Sequence, residues 1–372
     1  MRKFIATMFF VVLAAAPAAA QQPQQPQQRR MWQPEIGIKA GWVHADMTDA
    51  DVGIDFIDIP GVGGVIASGV AIIAPAPLYG IIPIGDRMAI EPSFGFQNIS
   101  AGASTTALTL GARFNYAFTP RVYFGVGPTM YLVKGNGLED TQGAMQVALG
   151  YRRPLGTSFN FLAEGYYEVR EKSEILIDAT AYGVRIGAGA VLGGKAAAAP
   201  AAASARMWEP AIGIQGGWSL VSISGATDLT ILSLPFAGQS VVGGNNILPG
   251  PSALFVLFPV GERLAIEPSI DIHNVKIEGI DPITSYEVGG RLNYAFNRKL
   301  YAGAGVEYTG IDVDGIDDGS SVAIVLATGL RFPVAGPVLG RTELSYRTFD
   351  GTDLYGGGQA TSFSFGIMVP LK

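Results

Sequence analysis

One hairpin occurs twice in this chain, and its strict alternation restricts what the chain can become. The later copy reads Gly289-Gly-Arg-Leu-Asn-Tyr-Ala-Phe296, then Asn297-Arg298-Lys299, then Leu300-Tyr-Ala-Gly-Ala-Gly-Val-Glu-Tyr308. Tyr286, Val288, Leu292, Tyr294 and Phe296 share one face, and Glu287, Gly289, Arg291, Asn293 and Ala295 the other, which is the period of two of a β-strand. The second arm sets Leu300, Ala302, Ala304, Val306 and Tyr308 against Tyr301, Gly303, Gly305, Glu307 and Thr309. The earlier copy runs Gly111-Ala-Arg-Phe-Asn-Tyr-Ala-Phe118, Thr119-Pro120-Arg121, Val122-Tyr-Phe-Gly-Val-Gly127. A large apolar face backed by glycine, arginine and glutamate is the pattern to be explained.

The 372 residues carry a formal charge of −6, and loss of Arg2 and Lys3 with an N-terminal leader leaves 23 basic against 31 acidic residues. That balance argues against nucleic acid as a partner. Charged residues make up 15% of the chain, against about 25% in soluble domains. The chain has no cysteine, so disulfides, thiolate chemistry and a lipoprotein anchor are excluded.

Met1-Arg2-Lys3, the apolar run Phe4–Ala16 and Ala18-Ala19-Ala20 predict a cleavable signal peptide over residues 1–20, since the apolar core is too short for a membrane-spanning helix. Residues 21–30 form a Gln/Pro spacer. The uncharged stretch Pro60–Gly85 is broken by Pro75, Pro77 and Pro83 and by six glycines, so no spanning helix is expected there.

Two homologous halves follow. Met31-Trp32-x-Pro-x-Ile-Gly-Ile-x-x-Gly-Trp42 recurs as Met207 to Trp218, and Gly85-Asp-Arg-Met-Ala-Ile-Glu-Pro-Ser93 as Gly261 to Ser269, both at an offset of 176. The hairpin recurs at 178, and Glu164 and Tyr167 recur as Glu343 and Tyr346 at 179. The expected domains are residues 31–193 and 206–372, joined by an Ala/Pro linker over 194–205.

The second half predicts strands near 210–221, 252–260, 263–275, 285–296, 299–310, 320–333, 339–349 and 361–371. The first predicts them near 34–47, 78–85, 87–99, 107–118, 121–133, 143–153, 158–170 and 180–192. Short turns alternate with long loops, and an even strand count with that rhythm describes an outer-membrane barrel whose short turns face the periplasm. The expected fold class is all-β: two tandem eight-stranded antiparallel up-and-down transmembrane barrels, with one 16-stranded porin-like barrel as the alternative.

Each half resembles the small eight-stranded outer-membrane barrels of the OmpA/OmpX type. The resemblance rests on Gly-x-Arg-x-Asn-Tyr-x-Phe, a turn, and then Tyr-x-Gly-x-Gly, together with the loop rhythm. It implies insertion by the outer-membrane machinery. One departure is that the chain ends Phe363-x-Phe-x-Ile-x-Val-x-Leu371-Lys372, without the terminal aromatic common in that family.

Which face looks inward follows from volume and charge type. An eight-stranded interior has room only for side chains, and the bulky face (Tyr286, Leu292, Tyr294, Phe296, Phe332, Leu344, Tyr346, Phe363, Phe365, Ile367) would overfill it. The opposite face holds Gly213, Gly217, Gly289, Gly303, Gly305, Ser345, Ser364 and Gly366. Strand-centre charges in the second half are Glu267, Asp271, Glu287, Glu307 and Glu343 against Arg291, Arg331, Arg341 and Arg347. Arginine rather than lysine suits bidentate pairing with buried carboxylates, so these residues are expected to form an ion-pair core. Glu91, Arg113, Arg152, Glu164, Glu168 and Arg185 are expected to do the same in the first half.

Trp32, Trp42, Trp208, Trp218, Tyr116, Tyr123, Tyr294 and Tyr301 lie near strand ends and are expected to form interfacial girdles. Glu267, Ser269, Asp271 and His273 share a face and resemble a hydrolase set. Ser269 and His273 are about 13 Å apart along one strand, however, too far to hydrogen-bond. His44, the other histidine, has no counterpart. Asp312 to Gly319 is faintly like a calcium loop but lacks the closing glutamate, so a solvated acidic loop is expected, one that meets lipopolysaccharide through divalent ions. The Gly-x-Gly pairs at 125 and 187 sit inside strands and are not nucleotide motifs. The first loops, 48–77 and 222–251, share Ile57-Asp-Ile-Pro60 and Leu232-Ser-Leu-Pro235, and packing over the barrel mouth is the favoured reading. The sequence therefore predicts an outer-membrane protein with plugged lumens, a structural or loop-mediated binding role, and no catalytic, cofactor or metal residues. Its partners would be outer-membrane lipid and lipopolysaccharide, with the loop ligand unspecified. A lipid-modifying enzyme and a soluble carrier are the competing readings.

Overall fold

The computed structural model describes residues 31–47, 52–59, 64–67, 70–73, 76–101, 103–135, 138–155, 159–171, 173, 179–192, 206–223, 229–234, 239–242, 246–249, 252–277, 282–313, 319–335, 338–351 and 357–371. The expected signal peptide, the Gln/Pro spacer, the linker and residues 314–318 of the acidic loop lie outside these.

In the first half the strands are β1 (Glu35–Met47), β2 (Val52–Ile59), β3 (Gly64–Ala67), β4 (Val70–Ile73), β5 (Leu78–Pro83), β6 (Met88–Ala101), β7 (Ala103–Ala117), β8 (Val122–Gly135), β9 (Leu138–Leu155), β10 (Phe159–Arg170) and β11 (Ala179–Val191). In the second half they are β12 (Ala211–Ile223), β13 (Leu229–Leu234), β14 (Gln239–Val242), β15 (Asn246–Pro249), β16 (Leu254–Pro259), β17 (Leu264–Ile277), β18 (Ile283–Ala295), β19 (Leu300–Val313), β20 (Gly319–Ala335), β21 (Val338–Phe349) and β22 (Gly358–Pro370).

Antiparallel pairing runs from β5 through β11 in chain order and closes where β1 pairs with both β11 and β5, giving an eight-stranded barrel. The second half closes in the same way through β12, which pairs with β22 and β16. Closure leaves no free edge over the paired lengths, so every ladder donor there meets an acceptor.

The faces follow the alternation. Val306, Ile324 and Leu326 point outward and are 57%, 57% and 54% exposed, whereas Glu287, Asn293 and Ala295 point inward and are fully buried. Inward glycines admit the large lumen side chains. A Cβ on Gly213 would overlap the Phe255 ring, and one on Gly150 the Tyr123 ring.

The first loops contribute strands to the walls. β5 and β16 are short and meet only the turn-side parts of their neighbours. The residues before them enter the lumens: Pro77 O accepts from Lys39 N, and Ala253 O from Gln215 N. The loop-side edges left open on β1 and β12 are taken by β2 and β13. The far edge of β2 then pairs with β17 of the second barrel, and that of β13 with β6 of the first. Thus two separate eight-stranded barrels on the turn side merge, on the loop side, into one continuous ring in which β2 and β13 replace β5 and β16. The mouth-packing expectation is corrected for these segments: backbone edges exposed by the short β5 and β16 are satisfied by strands rather than by a folded lid. Register preserves the facing. Ile57 lies between Trp42 and Asn274, and its counterpart Leu232 lies between Trp218 and Asn98.

On the turn side the barrels touch through apolar side chains. Phe159 and Ala190 pack with Val338 and Val369, and Ile38 and Leu78 lie against Ile214 and Ile367. Each lumen is sealed at this end by an apolar cluster, Trp32, Tyr79, Ile81 and Tyr123 in one barrel and Trp208, Phe255, Leu257 and Tyr301 in the other. This corrects half of the expected girdle. Trp32, Trp208, Tyr123 and Tyr301 are 1–3% exposed and lie inside. Tyr123 and Tyr301 have the inward parity of their strands, and the indoles of Trp32 and Trp208 cap the floor by donating to the carbonyls of Arg87 and Arg263. Trp42, Trp218 and Tyr294 do face outward.

Candidate functional site

The inward charges of the first barrel form tiers along its axis. At mid-height Glu164 accepts a bidentate pair from Arg113 at 2.7 and 3.2 Å, and meets Arg185 at 2.7 Å, Lys39 at 3.0 Å and the Tyr123 hydroxyl at 2.7 Å. Glu91 accepts from Arg113 at 2.9 Å, Lys39 at 2.6 Å and Asn115 at 2.8 Å. The sheet itself creates these neighbours, because Glu91 is the cross-strand partner of Arg113, and Glu164 of Arg185. Towards the loops, Glu168 accepts from Tyr131 at 2.6 Å, Gln146 at 2.9 Å and Arg170 at 2.9 Å. Towards the turns, Glu35 accepts from Arg152 at 2.5 Å, Asn160 at 2.7 Å and Tyr79 at 2.6 Å.

The second barrel keeps the two central carboxylates but has one cation moved and one lost, since Gln215 stands where the first barrel has Lys39. Arg291 spans Glu343, at 2.8 Å to each oxygen, and Glu267 at 2.5 Å. Arg341 donates to Glu267 at 3.0 Å through each terminal nitrogen and also binds Glu343. Tyr301 and Asn293 complete the two carboxylates at 2.6 and 2.7 Å. At the offset of 179, Arg341 stands where the first barrel has Leu162, and Ser364 where it has Arg185. The same carboxylates are thus neutralised from the adjacent strand.

Three residues expected in this core pair otherwise. Arg331 has no carboxylate partner among the described residues. Its guanidinium lies 3.7 Å from the Trp208 ring centre and donates to the Met207 and Asn297 carbonyls at 3.0 and 3.4 Å. The cause is local: its counterpart Arg152 meets Glu35, whose place is taken here by Ala211. Glu287 accepts from Ser252 rather than from arginine. Asp271 lies beside its own-strand neighbour His273, 2.8 Å away, while Glu307 and Arg347 pair at 2.7 Å.

Glu35, Lys39 and Arg170 belong to the network and are absent from the sequence-derived set. The signal was present. Glu35 and Lys39 share the parity of Gly37 and Gly41, opposite Ile36 and Ile38, and Arg170 shares that of Glu164 and Glu168. A lysine among arginines is tolerated because Lys39 sits between two carboxylates, 2–6% exposed together with Glu91.

A second cluster marks the junction between the barrels. On the outer face His44 Nδ1 lies 2.9 Å from Asp55 on β2 and Nε2 lies 2.9 Å from Asp46, while Trp42 Nε1 donates to Asp55 at 3.1 Å. Asp55 is also the register partner of Lys276 on β17.

The central tier of the first lumen offers little room for a ligand. A cavity of about 10 Å³, bordered by Lys39, Tyr79, Glu91 and Arg113, holds at most a single water. Among the described residues no group of three or more His, Cys, Asp or Glu is arranged to hold a metal ion, and no helix is long and apolar enough to cross a membrane.

No family model matches the chain, and no curated protein matches it. Among solved structures it is similar to a loop-deletion form of OmpT, an outer membrane protein of Vibrio cholerae, at 9% identity, covering 90% of this chain and 98% of that one with a TM-score of 0.27. A FadL homologue of Pseudomonas aeruginosa gives 12% identity, 91% of each chain and a TM-score of 0.28. The COG4313 outer membrane channel of Pseudomonas putida F1 gives 9%, 93% and 99%, and 0.27.

Proposed function

We propose that this chain is an integral outer-membrane protein, each half an OmpA/OmpX-like barrel with a filled lumen, whose role is structural or carried by its loops at the cell surface. The observation that carries this reading is the division of side chains. Apolar residues such as Val306 and Leu326 project outward, while Glu164, Arg113, Glu343 and Arg341 lie inside, nearly fully buried and mutually paired. Charges on the outer face at mid-height would cost about 2–4 kcal/mol for each arginine in lipid. Turned inward and hydrogen-bonded to carboxylates, they fill the lumen instead.

Filled lumens favour a non-conducting, non-catalytic role. The test is reconstitution of the full chain into planar bilayers. Silence or rare small openings are expected, and a large steady conductance would overturn the plugged reading in favour of a channel.

A further inference from the structure

Among the described residues, the two ends of the molecule carry opposite charge. On the turn side, Arg87, Arg121, Arg153, Arg263, Arg298 and Lys299 are all exposed. None forms an ion pair among the described residues, although Asp86 and Glu262 adjoin two of them in sequence. On the loop side the exposed groups include Asp46, Glu139, Glu171, Asp312 and Asp350, and of the exposed lysines there Lys134 is already paired with Glu139 at 3.0 Å.

The turn-side cations stand at the edge of the apolar band. Arg87 follows Ile84, Arg121 follows Phe118, Arg263 follows Val260 and Arg298 follows Phe296, and these four apolar residues are each about half exposed on the outer face. Arg263 reaches back along that face to hydrogen-bond the outward Tyr294 hydroxyl at 3.1 Å. An arginine folded towards a phenol at the rim of an apolar belt has the geometry of a side chain placed at lipid headgroup level.

We propose that these turn-side cations form a collar that binds anionic phospholipid headgroups in the leaflet the turns face. The proposal rests on the membrane-spanning reading and adds a lipid selectivity to it. Unpaired guanidinium groups lying in the plane of the headgroups have phosphate oxygens as their nearest acceptors, and arginine's fork matches them. The acidic loop end repels the same lipids, so the selectivity belongs to one leaflet.

The test uses the full chain in vesicles of phosphatidylcholine containing spin-labelled phosphatidylglycerol or, separately, spin-labelled phosphatidylcholine, with the protein-restricted fraction of each read by electron paramagnetic resonance. The wild type is expected to prefer phosphatidylglycerol by about fivefold at low salt, the effect of one surface cation on an anionic leaflet. In about 1 M salt, where charges are screened beyond about 3 Å, the preference should vanish. The combined Arg87→Gln, Arg121→Gln, Arg153→Gln, Arg263→Gln, Arg298→Gln and Lys299→Gln chain should lose it, and a chain with the same five arginines changed to lysine should keep it. Equal restriction of both lipids by the wild type, or a preference indifferent to salt, overturns the collar alone. Absence of a restricted component from either lipid overturns the membrane-spanning reading and the collar with it.

Discussion

Leu232 on β13 is the register partner of Asn98 on β6, so a strand leaving the second barrel is hydrogen-bonded to the first. Its counterpart Ile57 pairs with Asn274 in the opposite direction. The two halves are therefore interlocked through a reciprocal exchange, and neither completes its loop-side wall alone.

That exchange predicts a specific cross-link. The chain has no cysteine, so Asn98→Cys with Leu232→Cys provides one pair, at a separation that antiparallel neighbours can bridge. Oxidation should close a disulfide within one chain, seen as a mobility change reversed by reductant. Asn274→Cys with Leu232→Cys should not react, and its reaction instead would mean that each loop strand pairs with its own barrel.

The relocated arginine predicts a transplant. Arg341→Leu places the first barrel's residue in the second and leaves Glu267 and Glu343 sharing Arg291, which should destabilise by about 3–5 kcal/mol. Adding Ser364→Arg, the counterpart of the first barrel's Arg185, should recover roughly half of that loss. Urea unfolding in vesicles measures both. No recovery would mean that the two arrangements are not interchangeable.

Glycine predicts a contrast along one hairpin. A Cβ on Gly305 would run into backbone, the Gly290 carbonyl and Arg291 Cα, whereas one on Gly290 meets nothing within 4 Å. Gly305→Ala should cost about 1–3 kcal/mol, because no side chain can move aside. Gly290→Ala should be near neutral in the same unfolding assay.

Orientation predicts an asymmetry in charge tolerance. Val306, outward and mid-strand, should lose about 2–4 kcal/mol on Val306→Arg in a bilayer. An unaffected folding yield in vesicles would place this face in water.

Much of the fold is legible in the residues. The period-two pattern positions all sixteen barrel strands, and parity sorts Glu91, Arg113, Glu267 and Arg291 from Phe114 and Leu292. Some partners follow directly from register, as with Glu91 and Arg113. Less legible is which cation serves which carboxylate, since Arg341 reaches across the lumen to Glu267 at a separation no strand pairing reports. The aromatic girdle failed for Trp32 and Trp208 because they precede the first barrel strand of each half, where alternation has not yet begun to assign a face.

The sequence by itself determined the sixteen barrel strands, the facing of side chains within them and the kind of residue that fills each lumen, because alternation and side-chain volume are local properties. Only the tertiary structure decided that β2 and β13 cross between barrels. A strand's free edge offers the same donors and acceptors to any partner, and the short β5 and β16 left the open edges that, with the barrels side by side, selected this one.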